Sequence, residues 1–159
     1  MGDYSRSTRE VTLANLTSEI TDALNKHIEH YDLGSILDDV LICIESNSDK
    51  IKKGLFSGPG AKMVKSIVIL TPHWLVQIIK SDNEAAFVRS AQLIDIVVTD
   101  YEKSPFYSKI PDTGVQVTGR FIDTSESSMS FIGLGKDAAG EKFKEMLIES
   151  IQNAKKLKK

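Results

Sequence analysis

The sequence predicts an α+β fold that is mainly β. Seven antiparallel strands curl into a half-open barrel, a C-terminal helix caps it, and an extra N-terminal amphipathic helix precedes it. Three observations carry this expectation. Apolar residues recur at helical spacing near both ends of the chain. Between them lie seven short β-rich runs. Turn-forming stretches, "GLFSGPG", "SDNEA" and "KIPDTG", punctuate those runs. A chain of 159 residues holds one such domain with a core that needs no disulfide. The expected division is a helical extension over 1–37 and the β domain over 38–159.

The first helix is expected to start near Ser7, which stands in capping-box spacing to Glu10, and to stop at Gly34. Leu13, Leu16, Ile20, Ala23, Leu24, His27, Ile28 and Tyr31 form its apolar stripe. A single stripe must be buried somewhere. Leu13, Leu16, Ile20, Leu24 and Ile28 are therefore the expected interface with a protein partner or a second copy of the chain.

The strand-like runs follow from Asp38: "DDVLICIES", "MVKSIVIL", "WLVQIIK", "AAFVRS", "QLIDIVVTDYE", "GVQVTGRFI" and "SSMSFIGLG". In the fifth, Ile94, Ile96 and Val98 share one face, and Asp95, Val97 and Thr99 the other. Gly119 marks an expected bulge in the sixth. "TPHW" gathers Pro72, His73 and the lone Trp74 at a corner, where the missing proline N–H is tolerated and the Trp74 ring can pack at the barrel rim. The last helix is expected to be N-capped by Asp137. Phe143, Met146, Leu147, Ile151 and Ala154 form its stripe, and Lys155, Lys156, Lys158 and Lys159 sit where the dipole favours cations.

Composition narrows the function classes. Apolar residues make up 41% and charged residues 26%, as in an ordinary globular protein. A net charge of -2 argues against a general nucleic-acid binder, and Tyr101, Phe106, Tyr107 and Phe121 form no base-stacking strip. The single Cys43 has no disulfide partner, "MGDYSRSTRE" has no apolar signal core, and no run reaches the length of a membrane span. A cytoplasmic protein is expected.

The candidate chemical clusters are weak. His27 and His30 stand three apart on one helix, but a zinc site needs further ligands. His73 has no nucleophile or carboxylate at motif spacing. "GLGKDAAG" follows a strand and opens a helix, the right setting for a phosphate, yet Asp137 would stand in the anion's place. No enzyme activity, cofactor or metal is expected from these patterns.

Three pieces together resemble the bacterial pleckstrin-homology-like (PH-like) domains: "SIVILTPHWLVQII", "SAQLIDIVVTDYE" and "SMSFIGLGKDAAGEKFKEML". The resemblance covers about Asp38 to Lys156 and leaves the first helix outside. It implies a non-enzymatic binding or scaffold module that acts through self-association or docking to a protein. It also implies an alternative, a peripheral binder of anionic lipid or phosphate. In eukaryotic relatives the loop between the first two strands of the domain holds such headgroups. Lys50, Lys52 and Lys53 are similar to part of that basic set, with Lys62 and Lys65 beside them and Leu55 and Phe56 at the loop tip. The arginine usual on the second strand is missing, and Lys65 is its nearest substitute. A further alternative is a small-molecule or enzymatic barrel with a polar pocket under the closing helix, near His73 or Tyr101.

Overall fold

The computed structural model describes residues 4–50, 63–109 and 112–157. It is an α+β fold built mainly from antiparallel sheets with a C-terminal helix. Eight strands are present among the described residues, arranged in two sheets and not as one seven-stranded barrel. Strands β1 (Tyr4–Glu10), β2 (Ile42–Lys50), β3 (Met63–Leu70), β4 (Trp74–Ser81) and β5 (Phe87–Gln92) form the first sheet in that order. Strands β6 (Ile96–Asp100), β7 (Gly114–Gly119) and β8 (Ser128–Gly133) form the second. Helix α1 (Ser18–His30) stands between β1 and β2, and helix α2 (Ala138–Leu157) closes the fold. No helix among the described residues is long and apolar enough to cross a membrane.

The N-terminus corrects the expected extra helix. Ser7 and Glu10 lie in β1, paired with Asn47 and Ile44 of β2, and make no helix cap. Polar contacts explain why so hydrophilic a segment is a strand. Thr8 Oγ1 shares a hydrogen bond with Ser46 Oγ at 2.7 Å, and Arg9 Nε donates to Glu45 Oε2 at 2.6 Å. Arg6 makes two bonds to Asp112, at 2.6 and 2.7 Å, and lies 5.2 Å from the centre of the Phe131 ring. Leu13 falls in a 3-10 turn (Leu13–Asn15), and the helix starts later, with Thr17 Oγ1 accepting from Ile20 N. It also ends before Gly34. Asp32 takes the left-handed φ of 53°, while Leu33 N donates to Ile28 O and Asp32 N to Glu29 O, a Schellman ending.

The first sheet is apolar on both faces, which accounts for the unbroken runs "SIVIL" and "LVQII". Ile42, Ile44, Val68, Leu70, Leu75 and Ala91 face the second sheet and α2. Cys43, Ile67, Ile69, Val76 and Ile78 face the other way, toward Ile20 and Leu24 of α1 and Ile36 of the following loop. A 13-residue helix is marginal alone. Burying Ile20 and Leu24 is worth up to about 3–6 kcal/mol, enough to decide that α1 is held by the sheet.

Helix α2 matches the sequence closely. Phe143, Leu147, Ile151 and Ala154 are buried and Met146 partly so, all against the first cluster. Asp137 caps α2 as expected: its Oδ1 accepts from Gly140 N at 2.9 Å. Its Oδ2 accepts from Thr8 N at 2.8 Å, and Thr8 Oγ1 in turn accepts from Gly135 N at 2.8 Å. The outer edge of β1 is thus joined to the start of α2. Lys144, in the second turn of α2, pairs with Asp100 at the end of β6. The expected fifth strand is interrupted: Leu93–Asp95 is a 3-10 turn, with Leu93 fully buried as a plug between the sheets.

Candidate functional site

A cleft of about 680 Å³ opens between α1 and the start of β5. Its α1 wall includes Ala23, Lys26, His27 and Tyr31, and its sheet wall runs from Ala85 to Val88. Two contacts set the helix beside the strand. His27 Nε2 and Ser90 Oγ share a hydrogen bond at 2.8 Å, and Lys80 Nζ lies 3.3 Å from Glu19. Burial lowers the His27 pKa below its ordinary value, with Asp123 pulling the other way and His30 adding to the decrease. A neutral imidazole under α1 is the result. Ser90 is 0% exposed and Asp123 pairs with Arg89 at 3.4 Å, so this serine–histidine contact is a packing joint and not an open nucleophile.

Arg89 works on the other face of β5. Its guanidinium lies 4.0 Å from the centre of the Phe121 ring, and Nη2 donates to Ser128 Oγ at 2.8 Å. These contacts hold the 121–128 segment against β5, where Ile122 N donates to Ser90 O at 2.8 Å. Phe87, next to the cleft, is 52% exposed.

The residues expected to bind a partner have other places. Ile20 and Leu24 are buried, and Leu13, Leu16 and Ile28 pack on the same cluster. The chain's own sheet covers Ile20 and Leu24, while Leu13, Leu16 and Ile28 stay partly exposed. Of the lysine set, Lys65 Nζ lies 3.1 Å from Glu45. Burial works against the Glu45 charge, but hydrogen bonds from Arg9 and Lys65 outweigh it and hold the carboxyl below its ordinary pKa. Glu45 is thus shared between Arg9 and Lys65. Lys50 ends β2, while its side chain and Lys52, Leu55, Phe56 and Lys62 lie outside the described residues, as does Lys53.

The remaining clusters resolve into structure. "TPHW" is a turn: Thr71 Oγ1 accepts from Trp74 N at 2.9 Å, and Thr71 N donates to Trp74 O at 3.0 Å. His73 is exposed on it, beside a cavity of about 360 Å³. The space beneath α2, where a polar pocket was one expectation, is filled by Phe121, Ile132, Phe143 and Leu147. Among the described residues no group of His, Cys, Asp and Glu is placed to hold a metal ion, and His27 is committed to Ser90.

Sequence reasoning missed the cleft because its walls come from segments 54 or more residues apart, as reckoned from Tyr31 to Ala85. A partial signal was present. Asp22, Lys26 and His30 recur every four residues on the flank of the α1 stripe, and "AA" places two small side chains just before "FVRS". Compared with protein families, curated proteins and solved structures, the chain matches none.

Proposed function

We propose that the chain is a non-enzymatic binding module of PH-like architecture that docks a protein partner in the cleft between α1 and β5. The observation that carries this reading is an open cleft of about 680 Å³ lying along a sheet edge. Connectivity supports the architectural part. Leaving aside β1 and α1, strands β2–β5 make a four-stranded meander, β6–β8 a three-stranded one, and α2 follows directly. That order is what the resemblance over Asp38 to Lys156 implies. The segment ahead of it then serves as an addition that covers one sheet face and creates the cleft.

Fold alone does not fix function, so the weight rests on the cleft. Its rim mixes Glu19 and Asp22 with Lys26 and His30, around Ala23, Ala86 and the exposed Phe87. Mixed charge around a small apolar centre suits a protein surface, whereas an anionic membrane asks for one sign of charge. A reducing cytoplasm suits the buried lone thiol of Cys43. The test is site-specific photocrosslinking in the cells that make the protein, with benzoylphenylalanine in place of Phe87. A discrete adduct at that position, and none from the same group at the exposed Val97 of the second sheet, is the expected result. No adduct at Phe87, or equal labelling at both positions, overturns the reading. An adduct of double mass identifies the partner as a second copy.

A further inference from the structure

We propose that β5 takes an extended peptide segment of its partner as an added antiparallel strand, seated between the Ala86–Val88 edge and the flank of α1. The inference rests on the docking reading above and names what enters the cleft.

The ladder geometry sets which backbone groups are open. Leu93 N donates to His73 O at 2.9 Å, so these residues form a hydrogen-bonded pair. Bonded and non-bonded pairs alternate along an antiparallel ladder. Ala91, Arg89 and Phe87 therefore bond to β4 opposite Leu75, Gln77 and Ile79, while the amides and carbonyls of Ser90 and Val88 point away from it. The Ile122 N to Ser90 O bond confirms that direction and closes one end of the edge. At Val88 the outward amide and carbonyl have no backbone partner among the described residues. The opposite edge of this sheet is treated differently: the outward amide of Thr8 on β1 is satisfied by Asp137. One edge is covered and the other opens into the cleft, and an open edge is a template for a strand.

Charge on α1 sets the direction and sequence of that strand. Glu19 reaches Lys80, next to the Ile79–Phe87 pair, while His27 reaches Ser90, so α1 runs in the same direction as β5. Asp22 consequently lies nearer the Phe87 end of the cleft and Lys26 nearer the Ser90 end. They are four residues apart, about 6 Å along a helix axis. Two residues of a strand span about 6.8 Å and point the same way. An added antiparallel strand runs from the Ser90 side toward Phe87, starting beyond the closed end, so its residue beside Lys26 comes two residues before the one beside Asp22. The complementary motif is an acidic residue, any residue, then a basic residue. Ala23 and Ala86 leave room for the strand between the walls.

The test uses two blocked heptapeptides. One reads threonine, valine, glutamate, valine, lysine, valine, threonine, and the other exchanges the glutamate and lysine. Amide exchange of the full-length protein is followed by NMR at roughly 1 mM peptide, a concentration suited to weak binding. The expected result is slowed exchange at Val88 with the first peptide and affinity about fivefold higher than for the exchanged one, the scale of two exposed charge pairs reversed in sign. The double variant Asp22→Lys with Lys26→Asp, both on the α1 rim, should reverse that preference. Val88→Pro should abolish binding while keeping the ladder, because the amide it removes points away from β4. Unchanged Val88 exchange with both peptides overturns the proposal, as does a preference that survives the double variant. A discrete crosslink at Phe87 alongside unchanged Val88 exchange would remove strand addition and leave the docking reading standing.

Discussion

Replacing Asp137 by alanine should be among the most costly single changes at the surface of this fold. Its carboxylate serves two partners. Oδ1 accepts from Gly140 N at 2.9 Å and caps α2, and Oδ2 accepts from Thr8 N at 2.8 Å on the outer edge of β1. Loss of a cap costs about 0.5–2 kcal/mol. Thr8 is 7% exposed, and an amide stranded there costs a further 1–3 kcal/mol, roughly. One side chain makes both bonds, so the costs are coupled, and about 2–4 kcal/mol is expected for the whole. That is a large fraction of an ordinary domain's stability of about 5–15 kcal/mol. In a chain of this size it lowers Tm by roughly 4–16 °C. Asp137→Ser keeps an acceptor for the cap but has one oxygen on a shorter stem, so it should lose only about half as much. The assay is urea unfolding followed by both circular dichroism and Trp74 fluorescence, with coincident transitions and an unchanged m-value. A cost below about 1 kcal/mol for Asp137→Ala, or a serine variant as unstable as the alanine one, would refute the reasoning, since either result means the two bonds are not both made.

Gly140→Ala should destabilise by about 1–3 kcal/mol, although the same change in an ordinary helix interior gains about 1 kcal/mol, because the new Cβ would overlap the Gly135 carbonyl oxygen. A rise in the urea midpoint would count against that packing. His27 has a depressed pKa in the folded protein, so the unfolded chain binds a proton that the folded one refuses. Stability should be flat above about pH 7.5 and fall as the pH drops through about 6.5 toward the depressed folded value, with His27→Gln removing that part of the slope. Equal slopes for the two proteins over that range would show that the imidazole does not titrate with folding. Burial, with a smaller contribution from Glu45, pushes the Cys43 thiol up to about 11, so at about pH 8 a disulfide reagent should label it only through opening of the fold. Complete labelling of native protein within seconds would contradict its place in the core.

Much of the architecture was legible where packing follows periodicity. The stripe Phe143, Leu147, Ile151 and Ala154, the cap at Asp137 and the β3–β4 pairing across "TPHW" all rest on apolar spacing or turn chemistry that a sequence displays directly. The N-terminus was misread for a physical reason. "YSRSTRE" has no apolar alternation, and its strand is specified by polar partners at Ser46, Glu45, Asp112 and Asp137, up to 129 residues away. The leucines at 13 and 16 then continued the true helical stripe backward into a segment that is a 3-10 turn and its flank. Leu93–Asp95 shows a smaller version of the same limit. Its residues fit a strand pattern, but Leu93 must turn inward to fill the space between the sheets, and the ladder breaks there. The cleft was not legible because an open strand edge is defined by which neighbour is missing, and that depends on topology rather than on any local pattern.

The junction of Thr8 with Asp137 also has a bearing on how the chain comes off the ribosome. The first strand is made before the carboxylate that covers its edge, which follows 129 residues later. Until then a nascent chain carries two bare edges on its larger sheet, and pairing with a neighbouring nascent chain competes with completion. The polar, charge-rich character of "YSRSTRE" answers that hazard: Arg6, Arg9 and Glu10 make the waiting edge soluble, so that the strand stays available for the later helix.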